Sequence, residues 1–263
     1  MNTTMSKYLE QLFGFEGRVA VVIGGTGVLG GALCEGLAQS GAHVVVAGRN
    51  ANRGRERVAA IEQLGGAASF VSVEACDRKS VEALLDGIVE EHGPVSALVN
   101  CAGVNSSTPY FEISDEEFRR IIDTNLLSTH VACQVFGWHM VERREGAILN
   151  IGSVTSDRPL SRVFIYSASK AAVLSLTRNV AREWAPHGVR VNCLCPGFFP
   201  AEQNRKILDK SRMEAILNHT PMGRLGESAE LIGAALLLLS PRAGSYITGE
   251  ALYVDGGFNA TTI

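Results

Sequence analysis

The sequence predicts an α/β fold: one doubly wound domain, with seven parallel strands in a single sheet and helices on both faces. Three observations carry that expectation. Short, unbroken apolar runs recur along the chain, as strands covered on both faces require. A helical pattern follows each run, so strand and helix alternate from end to end. No linker, low-complexity tract or short-period repeat divides the 263 residues, and a hydrophobic content of 46% supplies ample core.

The elements follow in order, after an N-terminal extension over residues 1–16. Arg18 to Ile23 is the first strand and runs into glycines. Val28 to Gln39 is a helix, Ala42 to Ala47 the second strand, and Asn52 to Leu64 a charged amphipathic helix stopped by Gly65 and Gly66. Ala68 to Val73 is the third strand, and Ser80 to Glu91 a helix ending near Gly93 and Pro94. Ala97 to Asn100 is the fourth strand. Ser114-Asp-Glu-Glu117 reads as a capping box that opens a long helix to about Val141. Ala147 to Ile151 is the fifth strand, Phe164 to Ala185 a helix, and Val189 to Leu194 the sixth strand. Leu231 to Leu239 is a buried helix, too short to span a bilayer, and Leu252 to Val254 closes the sheet. Residues 198–225 interrupt the alternation; they are either a substrate-covering segment or an ordinary surface excursion.

Composition narrows the function. With 24 Lys+Arg against 27 Asp+Glu the net charge is -3, so neither a nucleic-acid nor a membrane surface is expected. Cys34, Cys76, Cys101, Cys133, Cys193 and Cys195 show no Cys-x-x-Cys spacing, and the six histidines show no ligand spacing. No metal site and no disulfide framework is expected, and a reduced, cytoplasmic setting fits. The N-terminus lacks an apolar signal core. Of the histidines, His219 is the one expected near a site.

The first strand ends in Gly24-Gly25-Thr26-Gly27-Val28-Leu29-Gly30. Glycines at a strand-to-helix turn let the backbone approach a pyrophosphate, and the helix N-terminus adds amide donors, as in a Rossmann-type dinucleotide site. A carboxylate at the end of the second strand would take an adenosine 2'-hydroxyl; here stand Gly48, Arg49 and Asn50, and Arg49 is suited to a 2'-phosphate. This favours NADP, with NAD as the alternative. Cys76 and Asp77, after the third strand, are placed to meet adenine, and Asn100-Cys101-Ala102-Gly103 to line the cofactor.

The stretch from Ser153 to Lys170 carries the chemistry. Tyr166 and Lys170 are four apart, on one face of a helix. An ammonium beside a phenol favours the phenolate and lowers the tyrosine pKa, making a general acid/base. Ser153 ends a strand and aims a hydroxyl at the same point, where a carbonyl oxygen would become an alkoxide. The alternative for the pair is a solvated lysine beside a half-buried ring.

Together these residues resemble the short-chain dehydrogenase/reductase family, from about Gly17 to Gly257. The matches are the Gly24–Gly30 turn, Asn100-Cys-Ala-Gly103, Asn125 within Thr124-Asn-Leu-Leu127, Ser153, Tyr166-x-x-x-Lys170, Pro196-Gly197 and Asp255-Gly-Gly257. The resemblance implies that Tyr166 exchanges the proton of the substrate oxygen, that Ser153 hydrogen-bonds that oxygen, and that Lys170 tunes Tyr166 and binds the nicotinamide ribose. It implies that Asn125 holds a relay water; the alternative is a helix-kinking amide satisfied by backbone. It adds Pro196, Gly197 and Phe199 to the cofactor-binding set, and it implies a homotetramer built through the helices near Ser114–Val141 and Phe164–Ala185. Three positions depart from the family pattern: Ile23 for threonine, Val28 for glycine, and Ala201 for threonine.

Pro196-Gly-Phe-Phe-Pro-Ala-Glu-Gln-Asn-Arg205 and His219-Thr-Pro-Met-Gly-Arg224 are similar to a subgroup of mannonate or fructuronate oxidoreductases, close to gluconate dehydrogenases. A sugar acid needs a cation for its carboxylate. Arg158, Arg162, Gln203 and Arg205 are the substrate candidates, either in that role or in surface ion pairs. The leading expectation is an NADP-preferring oxidoreductase of a small sugar acid. The runner-up is a beta-ketoacyl carrier-protein reductase; from another class, a catalytically silent nucleotide sensor.

Overall fold

The structure, a computed structural model, describes residues 3–200 and 210–261. Gln203, Arg205 and the Ala201 departure lie outside the described residues. Seven strands are present: β1 Val19–Ile23, β2 His43–Gly48, β3 Ala67–Ser72, β4 Val95–Asn100, β5 Gly146–Ile151, β6 Val189–Pro196 and β7 Ala251–Val254. They lie in the order β3-β2-β1-β4-β5-β6-β7, every neighbouring pair parallel. Among the described residues the helices are α1 Thr3–Phe13, α2 Val28–Gln39, α3 Ala51–Gln63, α4 Arg78–His92, α5 Asp115–Ile122, α6 Ser128–Arg143, α7 Phe164–Trp184, α8 Lys210–His219 and α9 Ile232–Leu239.

The unbroken apolar character of β1 has a direct cause. Ala20 and Val22 point into one layer, with Leu33 and Leu37 of α2 and Leu238 of α9. Val19, Val21 and Ile23 point into the other, with Leu84 of α4, Phe136 and Met140 of α6, and Ala181 of α7. A strand buried on both faces cannot alternate apolar with polar residues. The N-terminal extension folds as α1 and is tied to the body where Ser240 Oγ donates to the Leu12 carbonyl at 2.7 Å.

One element departs from expectation. The helix expected from Ser114 to about Val141 is broken by a wide π-type turn over Asp123–Leu127. Thr129 Oγ1 donates to the Asn125 carbonyl (2.9 Å) and Ser128 Oγ to the Thr124 carbonyl (2.6 Å), so hydroxyls take up carbonyls in the wide turn. The capping box is half formed. Ser114 Oγ accepts from Glu117 N, but the Glu117 carboxylate takes the hydroxyls of Ser106 (2.6 Å) and Thr108 (2.8 Å) instead. It thereby pins the loop after β4.

Chain order reverses between β1 and β4: β1 continues to β2 on one side and receives β4 on the other. In open parallel sheets the crevice beyond the carboxyl ends at such a point is where ligands bind.

Candidate active site

The crevice is built by the turn after β1. Gly24 has φ +87, and a Cβ there would lie 2.6 Å from Ala102 N and 2.9 Å from the Cys101 carbonyl oxygen. Only glycine lets the loop after β4 rest on this turn. Gly27 caps α2 without a side-chain bond, leaving the first amides of the helix facing the crevice. A cavity of about 300 Å³ is lined by Gly24, Thr26, Gly48, Arg49, Asn50, Arg53, Glu74, Cys76, Ala102 and Gly103. An adjoining one of about 170 Å³ shares Gly24, Gly27, Arg53, Cys101 and Gly103 and adds Val28, Leu29, Gly30, Ile151, Tyr166 and Lys170. A glycine-built cradle at a helix N-terminus, leading to Tyr166, suits a dinucleotide in the donors it offers and in the room it leaves.

Most of the expected cofactor residues therefore meet in one crevice, but five do not. Asp77 is the N-cap of α4 and accepts from Lys79 N at 3.1 Å; the residues after β3 that line the crevice are Val73, Glu74, Ala75 and Cys76. Asn100 is buried, and its Nδ2 donates to Asn150 Oδ1 at 2.9 Å. Asn150 Nδ2 in turn donates to Thr177 Oγ1 at 2.9 Å, a polar ladder joining β4, β5 and α7. Pro196 ends β6, and Gly197 N donates to the Val254 carbonyl at 2.9 Å. A Cβ on Gly197 would lie 2.7 Å from Asp255 Cα, so this glycine serves the packing of β6 on β7. Phe199 is buried in the core against Gly226. Asn50 lines the crevice but also caps α3, accepting from Arg53 N at 3.0 Å.

Glu74 and Arg53 line the crevice and were not anticipated. The Glu74 carboxylate lies 3.8 Å from the Arg49 guanidinium. The available signal for Glu74 was an acid just after β3, three residues before Asp77.

The catalytic candidates converge. Ser153 stands beside Tyr166 and favours the ionised phenol. Ser153 Oγ accepts from Thr155 N and Thr155 Oγ1, each at 3.1 Å. Ser153 N donates to Ser156 Oγ at 3.2 Å, which donates to the Lys170 carbonyl at 3.1 Å, so Ser156 clamps the serine loop to α7. Lys170 is buried, its Nζ donates to the Ile151 carbonyl at 2.7 Å, and it lies 5.8 Å from the centre of the Tyr166 ring. Asn125 stands beside them. A Cβ on Gly103 would lie 3.4 Å from Asn125 Oδ1 and 3.5 Å from Lys170 Nζ. The Asn125 amide is engaged at both ends, with Oδ1 accepting from Val104 N (2.7 Å) and Nδ2 donating to the Val104 carbonyl (3.0 Å) and to Ser169 Oγ (2.9 Å). Its side chain braces the loop after β4 against α7.

The electrostatics correct one expectation. Burial raises the Tyr166 phenol above its ordinary value; Ser153 opposes this, and Cys101 and Cys195 reinforce it. Burial also lowers Lys170, against the opposing pull of the nearby thiols. Desolvation is the largest influence on the phenol, and it acts against the ionised form.

Of the substrate candidates, Arg158 lines a cavity of about 400 Å³ bounded by α8 and the loop that follows Ser153. Arg162 is exposed in a left-handed turn, φ +63, and does not line the Arg158 cavity. His219 lines the Arg158 cavity. The six cysteines are free thiols. Among the described residues no helix is long and apolar enough to cross a membrane, and no cluster of three metal-ligating side chains occurs.

This fold and this constellation define a class. Residues 26–259 match the family described as enoyl-(acyl carrier protein) reductase, and the chain belongs to the short-chain dehydrogenase/reductase family. It is similar to a gluconate 5-dehydrogenase of Gluconobacter oxydans (strain 621H), 35% identical over 254 residues that span 95% of this chain and 98% of that one. It is also similar to a 3-oxoacyl-(acyl-carrier-protein) reductase of Vibrio cholerae, 36% identical over 242 residues, 92% of this chain and 97% of the other. Among solved structures, a gluconate 5-dehydrogenase from Burkholderia cenocepacia J2315, in complex with NADP and tartrate, superposes with a TM-score of 0.92 at 31% identity, covering 97% of this chain and all of that one.

Proposed function

We propose that the protein interconverts a ketone and a secondary alcohol on a sugar acid of the gluconate and ketogluconate type, with NADP(H) as cofactor. The observation that carries the reading is that Tyr166 and Lys170 line the same crevice as the Gly24–Gly30 turn, with Ser153 placed to act on the phenol. When bound, the dinucleotide supplies or accepts the hydride at its nicotinamide. In reduction Tyr166, held protonated by burial, gives its proton to the substrate oxygen; in oxidation it takes that proton back. Ser153, oriented by Thr155 and Ser156, donates to the same oxygen and fixes its distance from the phenol. Lys170 and Asn125 hold α7 and the loop after β4 in register around the reacting carbon.

The cofactor reading is supported by Arg49 in the crevice, by the absence of a carboxylate at the end of β2, and by the NADP held by the Burkholderia relative. The sugar-acid reading is supported by Arg158 beside the serine loop and by the gluconate-acting relative. A screen of NADPH and NADH oxidation across 5-ketogluconate, fructuronate, tagaturonate and an acetoacetyl thioester tests it. Fastest turnover of a keto sugar acid with NADPH is expected. Preference for the thioester would overturn the substrate in favour of the carrier-protein reductase reading.

A further inference from the structure

We propose that Arg212 and His219 of α8, with Arg158, form the subsite that receives the substrate's carboxylate; this rests on the sugar-acid reading above and names the residues of its anionic end. The three side chains line one cavity of about 400 Å³. Among the described residues its lining holds two guanidinium groups, an imidazole and the hydroxyl residues Ser161 and Thr261, beside the apolar Ile216, and no aspartate or glutamate. Among the described residues no carboxylate pairs with Arg158.

The cations are set in place. Arg158 Nε donates to Asn259 Oδ1 at 2.7 Å, and Arg212 Nη2 donates to the Ser161 carbonyl at 2.6 Å. His219 Nε2 lies 2.7 Å from Thr261 Oγ1, and its ring meets Phe258 edge-on at 4.5 Å. Guanidinium forks match a carboxylate better than a hydroxyl.

The location suits the chemistry. Arg158 is on the loop that begins at Ser153, so the cavity and the reacting oxygen share one segment. Phe258 stacks on both His219 and Phe198, the residue that follows Gly197 at the end of β6. In a 5-ketoaldonate the carbonyl and the carboxylate are separated along the carbon chain, so a carboxylate site must lie beside the tyrosine rather than at it. Tyr166 does not line this cavity.

The test uses the full chain saturated with NADP. D-gluconate should raise the thermal midpoint in a saturable manner and sorbitol, its neutral counterpart, should not; Arg212→Gln should remove the gluconate response, and Arg212→Lys should retain part of it. In steady state, Arg212→Gln and His219→Gln should raise KM for 5-ketogluconate at least about tenfold more than KM for a neutral ketose, with kcat changing less than KM. Equal responses to gluconate and sorbitol, no gluconate response in the wild type, or equal KM changes for acid and ketose would each overturn the subsite. Should Arg212→Gln fail to fold, His219→Gln and Arg158→Gln carry the same comparison. A wild type that binds gluconate yet reduces no keto sugar acid would overturn the functional reading and leave the anion subsite standing.

Discussion

Tyr166 combines two opposing demands, since it must be near solvent-borne substrate and yet sit where its ionised form is poorly hydrated. Burial wins, and the phenol is raised. For an acid that is neutral when protonated, a raised pKa means the proton is held to higher pH, so the phenol of the cofactor-free protein should titrate above the ordinary value of about 10. Ultraviolet difference titration of wild type against Tyr166→Phe measures this; a component titrating below 9 would contradict it. Tyr166→Phe should also lower kcat by about 10²- to 10⁴-fold, the usual span of general acid/base catalysis, while dinucleotide binding persists. Undiminished turnover would remove Tyr166 from the acid/base role, and a wild type that binds NADPH without turning over any ketone would return the chain to the silent-sensor class. Arg49 and Glu74 argue a second case at this scale. A 2'-phosphate entering beside Arg49 meets Glu74 at 3.8 Å from the same guanidinium, so attraction and repulsion compete there. Arg49→Ala should weaken NADPH about tenfold more than NADH, and Glu74→Gln should shift preference toward NADPH, as read from paired KM values. Both side chains are more than half exposed, so the effects should shrink at high salt.

At the scale of elements, the polar ladder from Asn100 through Asn150 to Thr177 shows how the sheet fixes the catalytic helix. Thr177 Oγ1 accepts from Asn150 and donates to the Val173 carbonyl at 2.8 Å. Thr177→Val keeps the shape and strands the Asn150 amide, at a cost of about 1–3 kcal/mol in urea unfolding. The strands were legible because periodicity is local: each buried run announces itself in a handful of residues. The π-type turn was legible only through the alternative reading of Asn125 as a helix-kinking amide satisfied by backbone, because its partner Val104 is 21 residues away and no local pattern marks that bond. Asp77 shows a second limit. An acid just after a strand and just before a helix has the same sequence signature whether it caps the helix or meets a nucleotide, and here the cap took it. Phe199 shows a third, since its burial depends on space left by Gly226, which only the folded chain brings beside it. The convergence of the candidates Ser153, Tyr166 and Lys170 was legible because all three lie within one strand-loop-helix unit.

For the whole molecule, the apolar surface argues an assembly. Phe111 is fully exposed, Tyr110 stacks edge-on against both Phe111 (5.9 Å) and Phe164 (5.1 Å), and Phe118 of α5 and Trp138 of α6 are also exposed. The rings of Tyr110, Phe111 and Phe164 form one patch that joins the loop after β4 to the start of α7, the helix that carries Tyr166 and Lys170. Adjoining exposed aromatic rings on a folded chain mark a surface made to be covered. The expected cover is further copies of the same chain, giving a homotetramer. Light scattering should then report four times the 28.1 kDa chain mass. Phe111→Lys combined with Trp138→Lys places charges in the covered surface and should lower that mass, because an unpaired buried charge is among the most costly interface defects. Turnover should fall along with the mass, since the π-type turn that follows α5 and the helix α7 hold the Asn125–Ser169 brace between them and lose their outer support when the copies separate. A wild type that scatters as a single chain, or a variant whose mass is unaltered, would show that these rings face solvent for another reason.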